Sequence, residues 1–271
     1  PRNYKDQYTG VVSVREALAL SLNVPTVKVA EWVGLDQVTY LSGEMGFSGR
    51  IKPSPSLALG SYEVSLLELM QGYQVLANSG LKVRLKAWTK MKVDGNTIKA
   101  EYTKQKVINP QTAFLVTSAL QTALDQGTGR MVRRLGFKLP AAGKTGTTND
   151  AWFVGYTPEL LCGIWVGSDN SPDLKMSGSL AALPIWTSFM EKARQLGFLS
   201  GSKFKQPSGV LSMSVETESI KPLVDAVAVT TTASALVGWL PPIVAILTLV
   251  WTVIRIYETE TVQKFVQKRK E

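Results

Sequence analysis

Residues 141–167 limit what this chain can become more than any other stretch. Three strand-like runs, Gly143 to Thr148, Ala151 to Tyr156 and Leu160 to Gly167, follow one another with only a few residues between them. Connections that short join antiparallel neighbours, because a parallel return needs a crossover of about a dozen residues or more. The first run sits in Ala141-Ala142-Gly143-Lys144-Thr145-Gly146-Thr147-Thr148. Its glycines let a ligand's backbone approach closely. Its lysine and threonines offer an ammonium and hydroxyls to an anion or a carbonyl. It reads as a ligand-facing strand edge, and the rest of the chain up to residue 210 reads as its support.

That support is helical before it is extended. Ser13-Val14-Arg15-Glu16 is a capping box, and its helix runs through Ala17, Leu18 and Leu20 to a stop near Ser21-Leu22-Asn23, ahead of Pro25. Val24 to Val33 and Gln37 to Met45 read as further short helices, and Pro53-Ser54-Pro55-Ser56 as a loop. Ser65-Leu66-Leu67-Glu68 is a second capping box opening a helix with an apolar stripe at Leu66, Leu69, Met70, Tyr73 and Leu76. Lys82 to Val93 alternates as one strand, Asp94-Gly95-Asn96 makes a hairpin turn and Thr97 to Tyr102 returns. Asn109-Pro110 starts a long helix that ends before Gly127-Thr128-Gly129, and Pro184 to Leu196 is an amphipathic helix. Helices with a late antiparallel run of strands predict an α+β domain over 1–210.

The sequence holds no histidine, which excludes Ser-His-Asp and Cys-His catalysis and any histidine-ligated metal; no cofactor or metal site is expected. Its single cysteine, Cys162, lies in an apolar run and reads as a core thiol. The net charge is +9, but Lys82, Arg84, Lys86, Lys90 and Lys92 read as one solvated face, and no nucleic-acid partner is expected. The chain opens on Pro1 without a leader, which suggests a cut from something longer.

After residue 210 the character changes. No charged residue occurs from Ala226 to Ile254, a length that exceeds the roughly 20 apolar residues needed to cross a bilayer. The reading is a linker over 211–225, a transmembrane segment over 226–257 and a basic tail over 258–271, with the lipid bilayer as a partner. Trp239, Trp251 and Tyr257 are interface anchors, and Arg255, Lys264, Lys268, Arg269 and Lys270 place positive charge after the span. Pro241-Pro242 kinks a single span or divides it into a hairpin.

The motifs gain meaning together. Arg15 to Pro25 with Ser21-Leu22-Asn23, Pro55 to Gly60, Gly127-Thr128-Gly129-Arg130, and Gly143 to Asn149 followed by Asp150 to Pro158 resemble, in the same order, segments of bifunctional, class A penicillin-binding proteins. The Ser-x-Asn and Lys-Thr-Gly triplets belong to the signature of that family and of class A β-lactamases. The resemblance covers roughly residues 1–210 and implies part of a transpeptidase domain of the penicillin-binding, serine β-lactamase-like fold. It implies a serine DD-transpeptidase that cross-links peptidoglycan stem peptides, is acylated by β-lactams, and works outside the cytoplasm at the bacterial inner membrane. It assigns Ser21 a proton relay, Asn23 a hydrogen bond to the substrate backbone, and Lys144 a positive potential that holds Ser21. Thr145, Gly146 and Thr147 form the substrate-binding strand, with the two threonines on the terminal carboxylate and the Thr147 N–H as half of an oxyanion hole.

Three departures accompany the match. No Ser-x-x-Lys occurs upstream of Ser21, so the nucleophile is not among these residues; Ser200-Gly201-Ser202-Lys203 follows the third motif and is rejected for that role. Family members place a few more residues between the equivalents of Asn149 and Asp150, which leaves the register of that hairpin open. Met213 to Glu271 resembles a small phage holin. Three functions compete: a transpeptidase part inactive without its acylating serine, a nucleophile-less module that binds the cell wall, and membrane permeabilisation through 213–271.

Overall fold

The computed structural model describes residues 1–211 apart from 4, 5, 7, 9, 50, 149 and 169–175. The chain divides into two units, Pro1–Ser208 and Gly209–Glu271, and every element named below belongs to the first. The expected membrane span at 226–257, its flanking linker from 212 and its basic tail lie outside the described residues, as does the holin-like stretch. Among the described residues no helix is long and apolar enough to cross a membrane.

The fold is α+β. Helices α1 (Val14–Leu20), α2 (Asn23–Val33), α3 (Leu35–Met45) and α4 (Leu66–Ala77) come first, with a 3₁₀ turn at Pro55–Leu59. Two small ribbons follow, then α5 (Pro110–Asp125), α6 (Met131–Arg134), the meander β5 (Ala142–Thr147), β6 (Ala151–Tyr156) and β7 (Leu161–Val166), and α7 (Ala182–Gln195). Both capping boxes form in full: Ser13 and Ser65 accept from the backbone of Glu16 and Glu68, and each glutamate reaches back to its cap. Glu68 also accepts from the Ser48 hydroxyl and backbone, and these bonds hold its carboxyl down at about 2. Pro110 occupies the first turn of α5 as expected, although Asn109 gives the helix no side-chain cap.

The expected single strand over 82–93 is two strands. β1 (Leu81–Val83) pairs antiparallel with β4 (Lys104–Lys106), while β2 (Lys90–Val93) pairs with β3 (Asn96–Lys99) across the Asp94-Gly95 turn. Neither strand alternates in burial, β1 being half-buried throughout and β2 exposed throughout; the chain leaves the first ribbon after Val83, and Lys86 turns to lie 5.7 Å from the rings of both Trp88 and Tyr102.

The meander is antiparallel in the order β5-β6-β7, with β5 at an edge. The open register is Thr147↔Ala151, Gly146↔Trp152 and Lys144↔Val154. One face therefore carries Ala142, Lys144, Gly146, Val154 and Tyr156, and the other Gly143, Thr145, Ala151, Phe153 and Gly155. Leu120, Ala142 and Tyr156 form one buried cluster, with Tyr73 and Leu76 of α4 packed against it. The other face meets α6 and α7 in a larger cluster around Trp186, Phe153 and Phe137. Both faces of the meander are thus covered by helices, which fixes β5 as a rigid edge.

Candidate active site

The site begins with how α1 stops. The Leu22 N–H donates to the Ala17 carbonyl at 2.9 Å and the Ser21 N–H to Leu18 at 3.2 Å. This paired closure is a Schellman stop, whose left-handed position is ordinarily glycine. Here it is Ser21, at φ 58° and ψ 44°. A side chain there costs about 1 kcal/mol, which the fold tolerates while the Ser21 hydroxyl is held against Lys144. Ser21→Gly is accordingly expected to unfold at a higher temperature than Ser21→Ala, by the equivalent of about 1 kcal/mol; equal melting temperatures would contradict this account of the stop.

Lys144, half-buried on β5, reaches that hydroxyl: its Nζ donates to Ser21 Oγ at 2.9 Å, joining residues 123 apart in sequence, and to its neighbour's carbonyl, Thr145 O, at 3.0 Å. Burial lowers the ammonium from 10.5 to about 8. It stays mostly charged at neutral pH, and because it donates to Ser21 Oγ, the serine's own proton is left for another acceptor.

Along the strand, Thr145 Oγ1 lies 2.7 Å from Thr128 Oγ1, and Thr147 Oγ1 accepts from the Gly178 N–H at 3.0 Å. Thr147 is exposed, and its hydroxyl proton remains to donate. Gly146 lies close over Trp152; a Cβ there would stand 3.1 Å from the Trp152 Cβ. The sequence-predicted residues Ser21, Lys144, Thr145, Gly146 and Thr147 thus share one end of the β5 edge. Asn23 stands two residues beyond Ser21, at the start of α2. Its Nδ2 donates to the Arg2 carbonyl at 2.9 Å, so a substrate carbonyl would have to displace the chain's own backbone there. Ser200 is tied elsewhere, its Oγ donating to Glu159 at 2.5 Å and lying 2.6 Å from Ser202.

Sequence reasoning missed Thr128 and Gly178. Gly127-Thr128-Gly129 was legible as a helix stop and as a segment resembling the family, but neither reading gave Thr128 a role. The contact that matters, to Thr145, is made through space, and nothing local in Ser177-Gly178-Ser179 announces a donor for Thr147. Among the described residues no cluster of acidic or cysteine side chains could hold a metal.

A strand edge that carries Lys-Thr-Gly and holds a Ser-x-Asn serine through its lysine has counterparts in known proteins. Residues 2–190 match the family model of the penicillin binding protein transpeptidase domain. The chain belongs to this transpeptidase family, and within it to the 1A/1B-type, class A members. It is 37% identical over 197 residues to penicillin-binding protein 1B of Vibrio cholerae serotype O1, covering 70% of this chain and 25% of that protein. It is 38% identical over 200 residues to penicillin-binding protein 1A of Aquifex aeolicus, covering 70% and 27%. The chain therefore spans about a quarter of the length of these curated relatives. Among solved structures, it resembles penicillin-binding protein 1A from Haemophilus influenzae with a TM-score of 0.68 and 25% identity, over 79% of this chain and 37% of that one. The imipenem acyl-enzyme complex of penicillin-binding protein A from M. tuberculosis shares the fold at a TM-score of 0.57 and 23% identity, over 71% and 51%.

Proposed function

We propose that this chain supplies the substrate-binding edge and the proton relay of a peptidoglycan DD-transpeptidase, with stem peptides as substrate and β-lactams as mimics. The observation that carries the reading is the 2.9 Å bond from Lys144 to Ser21. It sets an ammonium and a relay hydroxyl beside two threonines on an open strand edge, which suits a terminal carboxylate laid along β5. Thr145 and Thr147 donate to that carboxylate and Lys144 supplies the positive potential. The Thr147 N–H contributes half of an oxyanion hole, a donor of the kind typically worth about 3 kcal/mol of transition-state stabilisation. Ser21 passes a proton to or from the leaving amine. Asn23 takes the substrate backbone once the Arg2 carbonyl moves aside.

No Ser-x-x-Lys precedes Ser21 in these 271 residues, and we place the acylating serine and its lysine outside them. Covalent chemistry needs an attacking group, so on its own this chain binds without turning over. The site would work on the outer side of the bacterial inner membrane, where its substrate is. The test is affinity for a stem-peptide analogue with a free terminal carboxylate, by calorimetry on the full chain: binding is expected, and Lys144→Ala should abolish most of it. An analogue bound equally by both proteins would remove the basis for the reading.

A further inference from the structure

The Gly127-Thr128-Gly129 segment between α5 and α6 touches both halves of the site. The Thr128 N–H donates to the Ala19 carbonyl of α1 at 3.1 Å, two residues ahead of the Ser21 stop. Gly127 packs so closely that a Cβ there would fall 2.1 Å from the same Ala19 oxygen, and Gly129 is pressed against Leu124 in the same way, at 2.5 Å. A side chain at Gly127 would have to push α1 away, and one at Gly129 would press on Leu124 of α5. From this fixed position the Thr128 hydroxyl, part-buried, meets Thr145 Oγ1 at 2.7 Å.

Two hydroxyls in contact leave the direction of the bond open until something else accepts from one of them. A carboxylate can only accept. If Thr145 donates to a carboxylate on the β5 edge, its oxygen is free to accept from Thr128, and the chain Thr128 O–H to Thr145 O–H to carboxylate is polarised in one sense. Each bond in such a chain strengthens the next. A neutral carboxamide can present either its oxygen or its NH₂ group, so it makes no such demand on the direction.

We propose that Thr128 is a positioning residue: through the Thr145 hydroxyl it makes the strand edge prefer a terminal carboxylate over a terminal amide. The inference rests on the proposed stem-peptide function and adds to it the residue that sets the preference for an anionic end. It also accounts for the second role of the segment, because the same peptide that anchors α1 fixes the distance between the Ser21 and Thr145 sides of the site.

The test compares one stem-peptide analogue with a free terminal carboxylate and the same peptide capped as a carboxamide, both titrated into the full chain. Wild type should prefer the carboxylate. Thr128→Val should lose about fivefold in carboxylate affinity, the range of one net hydrogen bond, with carboxamide affinity unchanged, and Thr128→Ser should restore the ratio. Thr145→Val, which also removes the direct donor to the carboxylate, should lose at least as much, and the double variant should lose no more than Thr145→Val alone, since Thr128 acts only through the Thr145 hydroxyl. Should the valine fail to fold, Thr128→Ala carries the same comparison, with thermal unfolding checking each protein. An unchanged carboxylate-to-carboxamide ratio in a folded Thr128 variant, or strictly additive losses, would overturn the proposal. A wild type that shows no preference for the carboxylate overturns the stem-peptide reading itself, which separates the two failures.

Discussion

Trp186→Ala is expected to destabilise the domain by about 4 kcal/mol, the size typical of deleting a fully buried large aromatic. The indole is completely enclosed, with Phe137 and Phe153 edge-on at 5.5 and 5.1 Å. It rests where Gly155 lacks a side chain: a Cβ on Gly155 would come within 2.8 Å of the ring. Its Nε1–H donates to the carbonyls of Gly155 on β6 and Cys162 on β7, at 3.2 and 3.1 Å. Alanine would leave a cavity between α7 and the sheet and would remove a donor shared by two strands. Because the meander holds β5 as an edge, ligand affinity should fall with stability. Trp186→Phe fills much of the volume without the N–H and should cost less, about 1–2 kcal/mol. Denaturant unfolding measures both; a loss of under about 1 kcal/mol for the alanine variant would show that the core closes around the gap.

The second large effect concerns Lys144. Its ammonium is the positive charge that binds Ser21 Oγ within the site, and hydrogen bonds to charged groups are worth about 1.5–3 kcal/mol. Lys144→Ala should therefore weaken binding of the carboxylate analogue by at least about tenfold. The same group sets a pH signature. Burial lowers Lys144 in the folded chain to about 8, against 10.5 for the free side chain. Above about pH 8 the folded protein loses this proton before the unfolded chain does. The unfolded state then binds more protons, and stability rises with pH, while affinity for an anion falls because the charge is going. Burial acts oppositely on Cys162, raising its thiol from 9.0 to about 11. An unfolded thiol that ionises first works against this rise increasingly toward pH 9, but between pH 8 and 9 the Lys144 term is the larger, so stability still rises there. Lys144→Ala should remove both the rise in stability and the loss of affinity across that window. A pH-independent affinity in wild type would mean that Lys144 does not face the ligand.

The sequence made legible those features whose cause is local. Ser13 with Glu16, and Ser65 with Glu68, state their caps within four residues. Asp94-Gly95 states its turn, and the short gaps after Thr147 and Tyr156 state an antiparallel meander. Even the odd stop at Ser21 was visible, although not its left-handed backbone, because a serine in a glycine position leaves no mark in composition. What escaped is non-local. β1 finds β4 across an intervening ribbon, so an alternating run through Val93 looked like one strand. Thr128 meets Thr145 and Gly178 meets Thr147 only because the segments after α5 and before α7 are brought back to the β5 strand by the fold. Asn23 was read by position in a motif, and its amide is engaged by Arg2, whose proximity no spacing rule contains. The meander's register followed from pairing Thr147 with Ala151, which the shortened hairpin left open.

The central claim is that this chain holds the ligand edge of a transpeptidase without the group that attacks. Intact-mass spectrometry of the full chain after incubation with a penicillin tests it most directly, with Lys144→Ala run in parallel and reversible binding followed by calorimetry. The account predicts an unmodified mass for both proteins, and reversible binding by wild type that the alanine variant loses. A covalent adduct of one penicillin on the wild-type chain would contradict it, and the modified residue would be the nucleophile that the account places outside these residues.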